Sequence, residues 1–141
     1  MSSIIDTITA AQAHAAAVRP RVGGFPYLAE ALRRAGVTAY FFDVPSMSVV
    51  YATDEGDVLQ PGELLRSVKT VIPPFDEAAL IAALRTDQAG LSTFPEFVEA
   101  SLRAGVVRYE VDTSARTCTY YGVHGERYVE HYPEVELPPA P

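Results

Sequence analysis

The chain has 141 residues, of which 48% are hydrophobic and 21% are charged, as is ordinary for a globular protein with a substantial core. Its formal net charge of −7 excludes non-specific nucleic-acid binding, which needs clustered Lys and Arg side chains against phosphates. A single cysteine, Cys118, excludes an intramolecular disulfide and a multi-cysteine zinc site.

The first predicted element is a helix from Ser3 to about Val18, because apolar residues recur there at helical spacing and Ser3 with Asp6 forms a start signal. A second helix begins at Phe25-Pro26 and ends at Gly36, where a residue with positive φ is favoured after the last turn. The start of the chain carries no basic region and no long apolar run. We therefore expect a cytoplasmic protein with no membrane partner.

Two antiparallel strands are predicted next, at Thr38–Val44 and Ser48–Thr53, where residue types alternate along the chain. Asp54–Asp57 forms a turn that contains Gly56, and Val68–Ile72 is a further predicted strand before two prolines.

The second half replays this order of elements. It predicts helices over 76–85 and 95–104, a capping box made by Thr93 and Glu96, a stop at Gly105, and strands over 106–112, 116–122 and 127–132.

The second half also repeats the residues of the first. Twelve of 32 positions are identical, without a gap, when residues 25–56 are aligned with residues 94–125. We therefore predict one domain over residues 1–141 made of two repeats, about 4–73 and 74–139. The expected fold is α+β, with an antiparallel sheet packed against about four helices and pseudo-twofold symmetry between the repeats.

Six residues at equivalent positions of the two repeats are predicted to be structural: Gly36, Gly105, Asp43, Asp112, Gly56 and Gly125. The first two glycines suit helix ends, and the other two suit turns. The two carboxylates come just before turns, where they can cap backbone N–H groups; paired acid/base groups across the symmetry axis are the alternative.

The last hairpin supplies the weak catalytic candidates. If His124-Gly125 occupies a two-residue turn, Cys118 faces His131 on the neighbouring strand. An imidazole beside a thiol can take its proton and leave a reactive thiolate. The pairing depends on register, since a slip of one residue sends every side chain to the opposite face.

The same register places five polar and aromatic side chains on the other face of the hairpin: Thr119, Tyr121, Tyr128, Glu130 and Tyr132. Tyrosines suit an exposed contact surface, so we predict this face as the binding surface. The alternative is that the helices cover it. No metal site and no cofactor are predicted, because no third ligand accompanies His124 and His131 and no phosphate-binding or dinucleotide motif is present.

Several segments resemble a small bacterial family of unknown function whose members are called YbcV-like or phage envelope proteins. They are Ala35-Gly36-Val37 with Tyr40 and Asp43, Ala104-Gly105-Val106 with Tyr109, Thr119-Tyr120-Tyr121, His124-Gly125-Glu126 and Tyr128–Pro133. The resemblance covers about residues 4–137. It implies a compact stand-alone bacterial protein and no established activity; the envelope label would imply a phage connection.

The sequence favours a non-enzymatic binding or protein-interaction domain, dimeric through a sheet face or an edge strand, whose partner is another protein or a second copy. One alternative is a small enzyme or ligand-binding protein that uses Cys118 and His131 in a pocket between the repeats and binds a small molecule. Another is a phage-derived structural component.

Overall fold

A computed structural model describes residues 3–141; Met1 and Ser2, the first residues of the predicted domain, lie outside the described residues. Within the described part the chain forms four helices and six strands. The helices are α1 (Ile4–Val18), α2 (Phe25–Arg34), α3 (Glu77–Gln88) and α4 (Phe94–Arg103). The strands are β1 (Val37–Asp43), β2 (Ser48–Thr53), β3 (Gly56–Gln60), β4 (Arg108–Asp112), β5 (Thr117–Tyr121) and β6 (Arg127–His131).

The helices begin where local hydrogen bonds satisfy their first backbone N–H groups. Ser3 and Asp6 form a capping box at α1, and Thr93 and Glu96 form another at α4. The carboxylate of Asp76 accepts a hydrogen bond from a backbone N–H in the first turn of α3, at 3.0 Å. These caps confirm the predicted starts of α1 and α4, because the signals are local in sequence.

The strands form one antiparallel sheet in the order β3-β2-β1-β4-β5-β6. The first three strands come from the first half of the chain and the last three from the second half, and the halves join through β1 and β4. Phe41 pairs with Glu110 at this junction, and these residues occupy equivalent positions in the two sequence repeats. This order and register are compatible with the predicted pseudo-twofold axis, and the α+β fold with an antiparallel sheet and four helices is confirmed.

All four helices contribute to one core on one face of the sheet, which we call the covered face. Phe42, Tyr40, Val111, Tyr109, Cys118 and Tyr120 point into this core together with Leu32, Leu80, Val98 and Leu102 from the helices. Side chains alternate along each strand, so every second strand residue is directed away from the helices.

The predicted strand at Val68–Ile72 is wrong. The third strand of the first half is instead β3, which follows β2 after a tight turn and pairs with it along its whole length. A hairpin closed by a short turn fills the free edge of β2 with the segment next in sequence, so a later segment cannot pair with β2. Val68 and Val71 are consequently 73% and 90% exposed in an irregular linker.

The linker between the halves packs closely against the end of α4. Gly105 has a φ of +83°, and a Cβ atom added there would lie 2.5 Å from the Pro74 carbonyl oxygen. Gly36, its equivalent after α2, has a φ of +98°, but an added Cβ would meet nothing within 4 Å. The two helix ends therefore share one backbone conformation and differ in their surroundings.

Candidate interaction surface

The hairpin between β5 and β6 differs from the prediction in its turn. Five residues, from Gly122 to Glu126, connect the strands, and the Gly122 N–H donates to the Glu126 carbonyl oxygen at 2.8 Å. The Glu126 carboxylate accepts a further hydrogen bond from the His124 N–H at 2.8 Å. Tyr120 therefore pairs with Tyr128. The predicted two-residue turn is wrong, and the predicted register differs from the observed one by one residue.

The observed register of β5 and β6 places the two catalytic candidates on opposite faces of the sheet. Cys118 pairs with Glu130, so its thiol lies on the covered face, whereas His131 pairs with Thr117 and lies on the opposite face. The Cys118 residue is only 4% exposed, and burial raises the pKa of its thiol to about 12. His131 is exposed and does not share a face with the thiol, so the predicted proton transfer between them has no geometric basis.

The five residues of the predicted tyrosine surface also divide between two faces. Tyr128, Glu130 and Tyr132 lie on the covered face. The Tyr128 hydroxyl donates to the Glu130 carboxylate at 2.7 Å, and Arg85 of α3 forms an ion pair with the same carboxylate. Burial would raise the pKa of Glu130, but hydrogen bonds from Arg85, Gln88 and Tyr128 hold it below its ordinary value.

Tyr132 packs under the start of α2. Its ring meets that of Phe25 edge-on, with the two centroids 5.2 Å apart, and burial raises the pKa of its hydroxyl to about 12. The expectation that Tyr128 and Tyr132 share a face with Tyr121 is wrong. The longer turn shifts the register of β6 by one residue, so each β6 side chain lies on the face opposite to the predicted one.

Thr119 and Tyr121 lie on the face of the sheet that points away from the core, which we call the open face. The Arg108 guanidinium lies over the Tyr121 ring, 4.6 Å from its centroid. Both Thr119 and Tyr121 are half-buried by their neighbours in the sheet. Two of the five predicted residues therefore belong to an outward surface, together with His131.

The open face extends over all six strands, and its middle row crosses the sheet through directly paired residues. These are, from one edge to the other, Leu59, Val50, Phe41, Glu110, Thr119 and Val129. None of them belongs to the core cluster formed by the described residues. Phe41 is 41% exposed, Leu59 63% and Val129 42%.

The first half of this row, formed by Leu59, Val50 and Phe41, is an apolar patch, which is unusual on the outer face of such a sheet. An antiparallel sheet that faces water on one side alternates hydrophobic residues inward with polar residues outward. Here β1, β2 and β3 carry apolar residues at their central outward positions as well as at their inward ones. Large contiguous apolar surface on a folded protein typically marks a site of association.

Charge is distributed unevenly over the open face. The half formed by β1, β2 and β3 carries two acidic residues, Asp43 and Asp57, and no outward basic residue among its paired positions. The half formed by β4, β5 and β6 carries both signs of charge: Arg108 and Arg127, together with His131, and the carboxylates of Glu110 and Asp112. The two halves of the sheet therefore present different charges on the open face, acidic on β1–β3 and mixed on β4–β6.

The two carboxylates at the strand ends are engaged in their own turns. Asp43 accepts from the Ser46 N–H at 3.0 Å, and Asp112 accepts from the Ser114 and Ala115 N–H groups at 3.0 and 2.9 Å. Each side chain therefore fixes the turn that follows its strand. If Asp43 and Asp112 acted instead as a catalytic acid/base pair, that function would compete with these turn hydrogen bonds.

Two shallow depressions lie beside the linker, with volumes of about 200 and 170 Å³. Both are smaller than the roughly 300–1,000 Å³ typical of small-molecule sites. The first is lined by linker residues, by Leu102 of α4 and by the turn after β1 with Pro45 and Ser46. The second is lined by linker residues and the loop that carries His124. Neither includes Cys118 or His131.

Metal-binding clusters and membrane-spanning helices are both absent from residues 3–141. His, Cys, Asp and Glu side chains do not gather there into a group of three that could hold a metal ion. No helix in that range has the length and apolar character that crossing a membrane requires.

The sequence carried a signal for the open face that the interpretation missed. Val49-Val50 and Tyr40-Phe41-Phe42 are runs of consecutive large apolar residues, so both faces of β1 and β2 had to carry apolar side chains. The tyrosines of the second half instead led to a predicted binding surface on β5 and β6.

Comparison with known proteins identifies one matching family and several related chains. Residues 12–131 match the family described as "Protein of unknown function (DUF1398)". The chain is 51% identical over 136 residues to Uncharacterized protein Rv2012 of Mycobacterium tuberculosis strain H37Rv and to Uncharacterized protein Mb2035 of Mycobacterium bovis. Each alignment covers 96% of this chain and 83% of the relative. The chain therefore belongs to the DUF1398 family of proteins of unknown function.

Proposed function

We propose that this protein is a non-enzymatic interaction domain that binds another protein chain through the open face of its sheet. The observation that carries the proposal is the outward apolar patch that Leu59, Val50 and Phe41 form across three adjacent strands. Burying these side chains against a partner would contribute about 25 cal/mol per Å² of apolar surface removed from water. The charged residues that border this patch, Asp43, Asp57 and Glu110, would set orientation and partner choice.

The chemistry of Cys118 supports a non-enzymatic function. A nucleophilic cysteine is partly exposed and has a lowered pKa, whereas this thiol is buried among Tyr40, Tyr109 and Tyr120 and has a raised pKa. The phage-structural function implied by the resemblance to YbcV-like proteins stays a prediction. Large regular assemblies in solution would support it.

The test places a photoreactive benzophenone amino acid at Phe41 and illuminates living cells that express the protein. The matched control carries the same group at Val71, which is 90% exposed in the linker. We expect a discrete protein adduct from position 41 alone, and we expect a second change on the open face, Val50→Lys, to abolish it. Equal adducts from both positions, or none from position 41, would contradict the proposal.

A further inference from the structure

We propose that residues 133–141, which follow β6, are a detachable strap over a peptide-binding groove between α1 and α2. When the strap opens, the groove takes an extended, proline-rich segment of another protein that carries acidic residues before a leucine. The groove belongs to the helix layer, whereas the open face is on the other side of the sheet. The groove is therefore a second interaction site, independent of the proposed function.

A single leucine anchors the strap in the groove. Leu137 is only 7% exposed, although the residues on either side of it are exposed. It is buried in one cluster with Ala15 of α1 and Ala31 of α2, whose small side chains leave room for it between the helices. Further apolar residues of the two helices pack around this cluster: Ala11, Val18, Tyr27 and Leu28. The groove therefore holds one aliphatic side chain of a chain segment that crosses it.

The rest of the strap is held loosely. Within residues 3–141, no backbone hydrogen bond joins residues 133–141 to the rest of the chain. Four of these nine residues are prolines, which have no N–H to donate. The one hydrogen bond found there is donated by Nε2–H of His14 to the Pro138 carbonyl oxygen, at 2.6 Å. A buried leucine and this bond have to offset the conformational entropy of the whole strap, so it opens far more readily than the core.

The strap itself shows which chemistry the groove accepts. The pKa of Arg33, in the last turn of α2, is raised mainly by its hydrogen-bonded partner Glu30 and to a smaller extent by the Glu134 carboxylate of the strap. An acidic residue ahead of the leucine therefore suits the charge at this end of the groove. Proline-rich segments are already extended when free, so they lose little entropy on binding. A partner segment has to compete with the strap, whose effective concentration is on the order of millimolar.

The test compares the full chain carrying Leu137→Asp, which removes the anchor, with the wild type. The probe is a fluorescent synthetic peptide with the sequence of residues 133–141, and the control peptide carries the Leu137→Asp change. Fluorescence anisotropy measures binding, and methyl NMR of Ala15 and Ala31 locates the bound peptide. We expect the variant to bind the probe about tenfold or more tightly than the wild type does, because the wild-type strap competes, and to return its alanine signals toward their wild-type positions. The control peptide should not bind.

Three results would overturn the inference. A folded variant that does not bind the probe, or that binds the control peptide equally well, has no groove for the leucine. Equal affinities of variant and wild type would mean that the strap does not close the groove. Loss of the fold in both Leu137→Asp and the milder Leu137→Ala, seen by circular dichroism, would make the strap a part of the core; if only the first unfolds, the second takes its place in the test. None of these results affects the adduct at position 41, which tests the proposed function.

Discussion

Replacing Cys118 by alanine should reduce the loss of stability that the protein shows in mild alkali. The thiol of Cys118 has a pKa of about 12 in the folded chain, against an ordinary value of 9.0, because burial disfavours the thiolate. The folded state therefore keeps a proton that the unfolded state releases above pH 9. The stabilisation is complete below that value and is lost as the pH rises from 9 towards 12.

The magnitude follows from the shift. Between pH 8 and pH 10 the unfolded thiol loses nearly all of its proton while the folded thiol loses almost none, which lowers the free energy of unfolding by about 1.4 kcal/mol. Tyr40, Tyr109 and Tyr120 also have raised pKa values through burial and act in the same direction, but they are present in both proteins and cancel.

Urea unfolding at pH 8, 9 and 10, under reducing conditions, measures the effect. Cys118→Ala should lose about 1.4 kcal/mol less than wild type over this range. Val111→Ala is the matched control, because Val111 is the fully buried cross-strand partner of Cys118 and leaves a similar cavity without removing a titrating group. Parallel pH profiles for wild type and Cys118→Ala would refute the account of Cys118 as a buried, protonated core residue.

Three further predictions concern single sites. At pH 7.5 a thiol reagent should label Cys118 about a thousandfold more slowly than a model thiol, because a smaller fraction of the buried thiol is ionised. Unfolding in urea should restore the ordinary labelling rate, whereas fast labelling of the folded protein would contradict the burial. Gly36→Ala should lower the free energy of unfolding by about 1 kcal/mol, because the backbone there is left-handed. Gly105→Ala should lower it further, because the added Cβ would also meet the Pro74 backbone. Equal melting temperatures for the two variants would contradict this close approach. In urea unfolding of dilute protein, Phe42→Ala should lower the free energy of unfolding by about 3–5 kcal/mol and Phe41→Ala should lower it by far less. The reason is that these neighbouring residues of β1 face opposite sides of the sheet. Similar losses for the two variants would contradict the assignment of faces.

The parts of the fold that could be predicted from sequence are those set by local interactions. The starts of α1 and α4 follow from capping boxes within four residues, and the ends of α2 and α4 follow from Gly36 and Gly105. Apolar spacing and alternation along the chain predict the four helices and five of the six strands, with small differences at their ends.

The parts that could not be predicted depend on turns and on competition for strand edges. The register of β6 depends on whether the connection has two residues or five, and the Glu126 carboxylate bonded to the His124 N–H helps to stabilise the longer loop. β3 is short, exposed and mostly polar, so its sequence gives a weak strand signal. The valines of the linker give a stronger signal, but the neighbouring β3 has already paired with β2.

Photocrosslinking in living cells from a benzophenone amino acid at position 50, with and without Phe41→Glu, tests the central claim, that the open face binds another protein chain, most directly. Val50 and Phe41 are paired neighbours on β2 and β1, so a partner captured from position 50 would also cover position 41, where a new carboxylate would be buried against it. The matched control is Val71→Glu, which adds the same charge to the exposed linker. The account predicts the same discrete adduct for the otherwise unchanged protein and for the control, and no adduct for Phe41→Glu. An adduct that survives Phe41→Glu, or the absence of an adduct from position 50 in the otherwise unchanged protein, would contradict it.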